Sequence, residues 1–197
     1  MIKAIAFDFG GVIEIKEGNL FQEIASYLQI SLEDWERVYF SLNHMFNVGG
    51  KSWDEVIALV AKEFNASDEQ ISHIKNLVSE IKKTKKINSE LLEIIKKLKK
   101  NYKIGLLSNN SVNLNQRIRD NNIAEIFDAV VISGEVGFQK PQPEIFKILS
   151  EKLGVELNEL IFVDDTKRSL EGAEKIGYFP ILFTNSQKLE EELASLL

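Results

Sequence analysis

Carboxylates and a hydroxyl follow short apolar runs at widely separated points of the chain. Asp8, Ser108 and the pair Asp164–Asp165 each stand directly after such a run. Carboxylates that share one crevice repel each other, which raises their pKa values. A divalent cation relieves this repulsion, and carboxylate oxygens are ligands that Mg²⁺ prefers. The pattern therefore predicts Mg²⁺-assisted chemistry if the fold brings these residues together.

The apolar runs themselves predict the elements that would do so. Runs of about four to six residues without alternation are typical of strands buried on both faces, as in a parallel sheet covered by helices. In open sheets of this kind, ligands bind beyond the carboxyl ends of the strands. A carboxylate in a loop can also cap a helix, and this alternative would explain any one of these acids. It does not explain why all of them follow predicted strands. The runs are Ile5–Phe7, Ile104–Leu107, Ala129–Ile132, Leu160–Val163 and Pro180–Phe183.

Segments with helical periodicity lie between the later runs. Apolar stripes span Leu91–Leu98 and Ile145–Leu153. Pro143 suits the first position of a helix, and Gly154 and Gly177 suit the positions just after one. From about residue 85 onward, strands and helices alternate, which indicates a doubly wound α/β layer.

The stretch from about residue 17 to 84 has no strand-like run. Its helix-start signals at Ser31, Ser52 and Ser67 predict three or four helices. A helical block after the first strand of an α/β chain indicates a second, smaller module.

Composition excludes several classes of protein. The 197 residues include no Cys, so disulfides, Cys-bound zinc and a thiol nucleophile are excluded. No apolar run approaches the ~18 residues of a membrane span, and the N-terminal residues lack a signal-peptide pattern. We therefore expect a soluble cytoplasmic protein with no membrane partner. The net charge of −6 argues against nucleic acid as a partner.

Four segments, taken in order, resemble the four motifs of the haloacid dehalogenase (HAD) superfamily. They are residues 5–13 (IAFDFGGVI), 106–110 (LLSNN), 137–146 (GFQKPQPEIF) and 161–165 (IFVDD). The resemblance implies a Rossmann-like α/β/α core with a parallel sheet, formed by residues 1–16 and 85–197. It also implies that residues 17–84 form a small helical cap inserted into that core.

The resemblance implies a role for each acidic residue. Asp8 would be the nucleophile and would form an aspartyl-phosphate. Asp8, the backbone carbonyl of Gly10 and Asp165 would hold Mg²⁺, with Asp164 contacting the metal directly or through water.

The same resemblance implies how the substrate is bound. Ser108 and Asn109 would bind the phosphoryl group, and Lys140 would bind it and neutralise its developing charge. His44 and Phe46 are candidates for lining the cap, although aromatic residues at this spacing more often belong to a helical core.

Two positions depart from the family pattern. Gly10 stands where most phosphatases of the superfamily carry a second Asp, the general acid and base. Glu14 could replace it, or could instead be exposed to solvent. Ser169 stands where the fourth motif often has Asp or Asn, and its hydroxyl could bond to Lys140 or to a metal-bound water.

Three hypotheses follow. The first is a Mg²⁺-dependent phosphatase, a phosphoric monoester hydrolase acting on a small phosphorylated metabolite such as a sugar phosphate or a nucleotide. The second is a non-catalytic member that binds a phosphorylated ligand or a protein, which the departures at Gly10 and Ser169 would explain. The third is a 2-haloacid dehalogenase, against which the retained acidic pair Asp164–Asp165 counts. The substrate and the oligomeric state are left open by the sequence.

Overall fold

The computed structural model describes all 197 residues, and a five-stranded sheet forms its largest element. Its neighbouring strands are all parallel, in the order β5-β4-β1-β6-β7. The strands are β1 Ala4–Phe7, β4 Lys103–Ser108, β5 Ala129–Ile132, β6 Leu160–Asp164 and β7 Phe179–Leu182. Two further strands, β2 Glu14–Ile15 and β3 Lys86–Ile87, form a separate two-stranded sheet.

Helices cover both faces of the sheet. The helices of this part of the chain are α6 Ser89–Leu98, α7 Leu114–Asp120, α8 Ser133–Val136, α9 Pro143–Leu153, α10 Ala173–Ile176 and α11 Ser186–Leu196. Single 3-10 turns occupy Ala124–Ile126, Leu157–Glu159 and Lys167–Leu170.

Alternate residues of the central strands enter two separate cores. Ile5 and Phe7 pack with residues of α6, α7 and α11 on one face. Ala4 and Ala6 pack with α9 on the other. Because both faces of β1 are buried, its sequence is continuously apolar rather than alternating. The predicted three-layer α/β/α fold is confirmed.

Local signals around α9 and α10 act as the sequence indicates. Pro143 is the first residue of α9, and Gly154 ends the helix in the left-handed conformation at φ 64°. Gly177 ends α10 in the same way at φ 103°. Pro180 lies within β7, which it can do because β7 is an edge strand.

Contacts within the chain divide it into two compact units, Met1–Ile15 with Ile87–Leu197, and Lys16–Lys86. The second unit is helical. Its helices are α1 Leu20–Leu28, α2 Leu32–Leu42, α3 His44–Asn47, α4 Trp53–Glu63 and α5 Asp68–Lys83. The unit thus has five helices where the sequence predicted three or four. One of them, α3, is only four residues long.

Side chains cap the first turns of the longer helices of the second unit. Ser31, Ser52 and Ser67 each accept a hydrogen bond from a backbone N–H of the first turn. At Ser52 and Ser67 the capping box is complete, since the Glu or Gln of the first turn bonds back to the cap. Trp35 is fully buried in the core of this unit. None of the helices of the chain is long and apolar enough to cross a membrane.

Candidate active site

The sheet register places acidic residues side by side at the carboxyl ends of neighbouring strands. Phe7 ends β1 and pairs with Val163, so that Asp8 and Asp164 follow at the same level. The backbone N–H of Asp8 donates to the Val163 carbonyl at 2.9 Å. On the other side of β1 lies β4, which ends at Ser108. Three adjacent strands therefore deliver their terminal polar residues to one place.

Three carboxylates meet there. Oxygen atoms of Asp8, Asp164 and Asp165 all lie within 4.8 Å of one another. Asp164 is fully buried, while Asp165 is exposed. The backbone N–H of Thr166 donates to Asp164 Oδ1 at 2.8 Å, and the hydroxyl of Thr166 donates to Asp165 Oδ1 at 3.2 Å. The side chain of Asp164 is thus fixed, with one face toward its acidic neighbours.

Lys140 is the cation of the cluster. Its side chain is 2% exposed, and its Nζ lies 2.5 Å from Asp164 Oδ2 and 2.9 Å from Asp8 Oδ1. The ammonium also donates to the carbonyl of Leu107 at 3.2 Å. It lies 5.0 Å from the centre of the Phe162 ring, within range of a cation–π interaction.

Asn109 fixes the backbone of Lys140 rather than presenting its amide to a ligand. The backbone N–H of Lys140 donates to Asn109 Oδ1 at 2.8 Å, and Asn109 Nδ2 donates to the Lys140 carbonyl at 3.1 Å. That Asn109 also binds phosphate stays a prediction. Its side chain holds Lys140 in place.

Burial and repulsion disturb the ionisation of the cluster. Burial raises the pKa of Asp8 from 3.8 to about 7; Lys140 opposes this rise, and repulsion by Asp164 and Asp165 adds to it. Asp165 is exposed as a residue, but partial desolvation of its carboxylate by the surrounding atoms, followed by repulsion from Asp164, also raises its pKa. For Lys140, burial lowers the pKa, but the attraction of Asp164 and Asp8 outweighs it, so the pKa is raised. Lys140 is therefore held as the charged ammonium.

The donor set fits a divalent cation. Three carboxylates face one ammonium, so the cluster has more negative than positive charge available. Asp8 Oδ1 is buried and forms its ion pair with the Lys140 ammonium, which Asp164 shares. Because three carboxylates share one ammonium, negative charge is left uncompensated, and a metal ion would relieve it. Asp8, Asp164 and Asp165 could hold such an ion, and their hard oxygen ligands suit Mg²⁺.

The two glycines after Asp8 have different surroundings. Gly11 adopts φ +83°, and a Cβ built on it would lie 2.0 Å from Oδ2 of Asp165. A Cβ on Gly10 would meet nothing within 4 Å. Gly11 is thus required for the approach of Asp165, a role that sequence reasoning missed, although the Gly-Gly pair was the available signal. A Cβ at Gly10 would meet no such obstacle.

Ser133 is a second residue that sequence reasoning did not place at the site. It is fully buried, accepts a hydrogen bond from the Asn110 N–H at 2.9 Å and donates to the Asn110 carbonyl at 3.2 Å. It therefore holds the loop that follows Ser108, which is itself buried. The signal was present, because Ser133 follows an apolar run as Ser108 does.

Glu14 and Ser169 both lie apart from Lys140 in their hydrogen bonding. Glu14 is neither a solvent-exposed side chain nor a free acid, because it is largely buried and forms an ion pair with Arg117. Ser169 is half-buried in a 3-10 turn, and its hydroxyl makes no hydrogen bond to Lys140. The ammonium of Lys140 bonds to Leu107 and Asp164 instead.

His44 and Phe46 belong to the helical unit Lys16–Lys86. His44 is exposed, and its Nδ1 lies 3.0 Å from the Ser41 carbonyl. Phe46 is half-buried and packs on the core of its own unit. The packing of Phe46 matches the helical-core alternative.

Comparison with known proteins identifies relatives along most of the chain. A family model described as a haloacid dehalogenase-like hydrolase matches residues 2–177. D-ribitol-5-phosphate phosphatase of Bacteroides thetaiotaomicron is 24% identical over 209 residues, which cover 100% of this chain and 99% of that protein. Bifunctional epoxide hydrolase 2 of Sus scrofa is 29% identical over 126 residues, covering 61% of this chain and 23% of that protein. The chain spans about a quarter or less of the first curated relatives that it matches.

Solved structures share the fold. A dehalogenase with an intermediate complex gives a TM-score of 0.70 at 19% identity, covering 100% of this chain and 97% of that one. A HAD family enzyme of Bacteroides thetaiotaomicron, in complex with magnesium and inorganic phosphate, gives 0.62 at 22% identity. That match covers 93% of this chain and 95% of the other.

The contrast between the two glycines is testable by alanine substitution. Gly11→Ala places a methyl group on the Asp165 carboxylate at a positive φ, and we expect a loss of about 1–3 kcal/mol in unfolding free energy. Gly10→Ala, the matched control, meets open space at an ordinary φ and should change that free energy by less than about 0.5 kcal/mol. Urea denaturation followed by circular dichroism measures both. Equal losses of unfolding free energy in the two variants would contradict the conclusion that Gly11 is required for the approach of Asp165.

The raised pKa of Asp8 predicts a pH-dependent stability. Because the folded-state pKa (about 7) exceeds the ordinary value of 3.8, the folded protein retains a proton that the unfolded chain releases between those pH values. Unfolding free energy therefore falls as pH rises through this window. The Asp8→Asn variant has no carboxyl group at this position, so its unfolding free energy lacks this pH dependence.

The measurement is urea denaturation in EDTA at about pH 5 and about pH 7.5. The stability of Asp8→Asn relative to the wild type should increase by about 1–3 kcal/mol between these conditions. A difference that stays constant or shrinks as pH rises would show that Asp8 does not titrate in this range.

Proposed function

The chain belongs to the haloacid dehalogenase-like hydrolase family, and on this premise we propose that this enzyme is a Mg²⁺-dependent phosphatase acting on a small phosphorylated metabolite. One observation carries the proposal: the buried Lys140 lies between Asp8 and Asp164, with Asp165 beside them at the strand ends. This arrangement offers a nucleophile, a fixed positive charge and a set of cation ligands.

The cation would be held by Asp8, Asp164, Asp165 and the backbone carbonyl of Gly10. When bound, Mg²⁺ would supply positive charge that offsets the negative charge of both the carboxylates and a phosphoryl group. Magnesium and inorganic phosphate bind together in the related Bacteroides thetaiotaomicron enzyme, which supports the assignment.

Asp8 would be the nucleophile. Its carboxylate oxygen attacks phosphorus, the bond from phosphorus to the ester oxygen breaks, and the alkoxide leaves with a proton from solvent. Water then attacks the aspartyl-phosphate, which releases inorganic phosphate and a proton and restores the carboxylate. Lys140 stabilises the negative charge on the phosphoryl oxygens, and the Ser108 hydroxyl donates a hydrogen bond to them.

The site lacks an obvious proton donor for the leaving group. Gly10 has no side chain, and Glu14 is committed to Arg117. We therefore infer that turnover is slow for esters whose leaving group needs protonation, since a general acid is typically worth ~10²–10⁴ in rate.

A small sugar or polyol phosphate is the substrate class that one relative supports. D-ribitol-5-phosphate phosphatase matches this chain over its full length. The helical unit Lys16–Lys86 would be the cap that selects the substrate, and the exposed His44 is its candidate for contacting a substrate hydroxyl.

A phosphate-ester panel tests this function. We expect the wild type to hydrolyse at least one sugar or polyol phosphate with Mg²⁺ and not with EDTA. Asp8→Asn should lower that rate by at least about 10³-fold, because it removes the nucleophile. Asp120→Asn, an exposed residue of α7, is the control and should leave the rate unchanged.

Two outcomes would support a different function. Halide release from 2-chloropropionate in EDTA would favour a dehalogenase. If no ester is hydrolysed while Mg²⁺ and phosphate bind by calorimetry, the protein is a binding member of the family without catalysis.

The open space at Gly10 allows the missing acid to be installed. Gly10→Asp should raise kcat about 10-fold or more for an alkyl phosphate, whose leaving group needs a proton, and far less for p-nitrophenyl phosphate. Gly10→Asn has the same size but cannot transfer a proton, so it should give no increase. An equal effect of Asp and Asn, or no dependence on the leaving group, would show that proton transfer is not limiting.

A further inference from the structure

The turn that follows Asp8 is closed by its own backbone. The N–H of Glu14 donates to the Phe9 carbonyl at 2.7 Å, and the N–H of Gly11 donates to the Glu14 carbonyl at 2.8 Å. Residues 9 to 14 therefore form one tight loop. Because the loop starts directly after Asp8, its placement determines where the backbone of Gly10 lies.

The loop abuts Asp165 without any intervening side chain. The carboxylate of Asp165 occupies the place where a Cβ of Gly11 would lie. A shift of the loop by about an ångström would therefore either collide with Asp165 or open a gap beside it. The relative positions of the Gly10 carbonyl and Asp165 depend on how firmly the loop is held.

Arg117 contacts both ends of this loop from helix α7. Its guanidinium carbon lies 5.1 Å from the centre of the Phe9 ring, and the guanidinium forms an ion pair and a hydrogen bond with Glu14. The Glu14 side chain is 10% exposed and that of Arg117 is 34% exposed. Partial burial makes this pair better suited to fixing a geometry than an exposed ion pair is.

Helix α7 is itself anchored to the sheet. Leu114 and Ile118 are buried in the same cluster as Phe9. Arg117 lies between them in sequence, so the side chain that pairs with Glu14 and lies over Phe9 comes from a helix that is packed on the core.

We propose that Arg117 is a positioning residue for the cation site: through Phe9 and Glu14 it holds the loop against Asp165. This inference rests on the proposed function in taking Asp165 and the Gly10 carbonyl as cation ligands. Arg117 touches neither the cation nor the substrate. Its effect is to keep these ligands at the spacing that one ion can bridge.

The test uses Mn²⁺ as the probe, with free Mn²⁺ measured by electron paramagnetic resonance. Arg117→Met keeps an apolar stem over Phe9 but loses the ion pair, and its Mn²⁺ dissociation constant should rise roughly 10-fold or more. Arg117→Lys can still pair with Glu14, although without the planar fork, and should stay within about threefold of the wild type. Glu14→Gln should resemble Arg117→Met.

Arg119→Met is the matched control, because Arg119 is exposed on the same helix and bonds only to the neighbouring Gln116. It should leave the dissociation constant unchanged. A merely structural role for Arg117 would lower the unfolding midpoint without weakening Mn²⁺ binding by the molecules that stay folded. Circular dichroism therefore accompanies each titration.

Unchanged Mn²⁺ binding in folded Arg117→Met would overturn the inference and leave the proposed function intact. If Arg117→Met does not fold, the Glu14→Gln titration decides in the same way. If the wild type neither binds Mn²⁺ nor hydrolyses any ester, the proposed function fails and this inference fails with it.

Discussion

The contact of the buried Lys140 ammonium with Asp8 and Asp164 is the interaction on which the rest of the site depends. Taking charged groups out of water is expensive, and burial of such a pair does not by itself stabilise a fold. Loss of one partner, however, leaves an uncompensated buried charge, which typically costs about 3–5 kcal/mol. The ion cluster is therefore tightly constrained and contributes little net stability. Its value lies in the chemistry that it permits.

The surrounding structure serves to hold this cluster. Parallel register sets Asp8 and Asp164 at the same level on neighbouring strands. Lys140 lies in a turn that the N–H of Gln142 closes by donating to the Gln139 carbonyl, and Asn109 fixes its backbone by two further hydrogen bonds. Ser133 holds the loop after Ser108 in a similar way. Rigid strands and side-chain clamps on loops together give the precision that charge neutralisation requires.

The site has the carboxylates and the ammonium that the proposed chemistry needs, but no acid placed to transfer a proton. Gly10 leaves empty space beside the nucleophile, and the nearest acid along the chain, Glu14, forms an ion pair with Arg117. A carboxylate held in that way stabilises the loop and is poorly placed to exchange a proton. The chain thus uses the acid of this loop for geometry and places no acid at the position where most phosphatases of the superfamily have one.

From the sequence we could predict the five strands of the main sheet, several helix ends and the convergence of Asp8, Ser108 and Asp164–Asp165. A strand that is buried on both faces has a continuous apolar sequence, and a helix cap requires particular side chains. The carboxyl ends of neighbouring parallel strands lie together, which explains the convergence of the polar residues. The two-residue strands and the one-turn helices α3 and α8 were not predicted, because such short elements leave no periodicity.

Other contacts between distant side chains became apparent only from the tertiary structure. Glu14 and Arg117 are 103 residues apart, and Asn109 lies 31 residues before the Lys140 backbone that it clamps. Gly11 owes its role to a carboxylate from another strand. Local patterns report the burial and conformation of a segment, whereas partners from distant segments are selected by the path of the chain and by close packing.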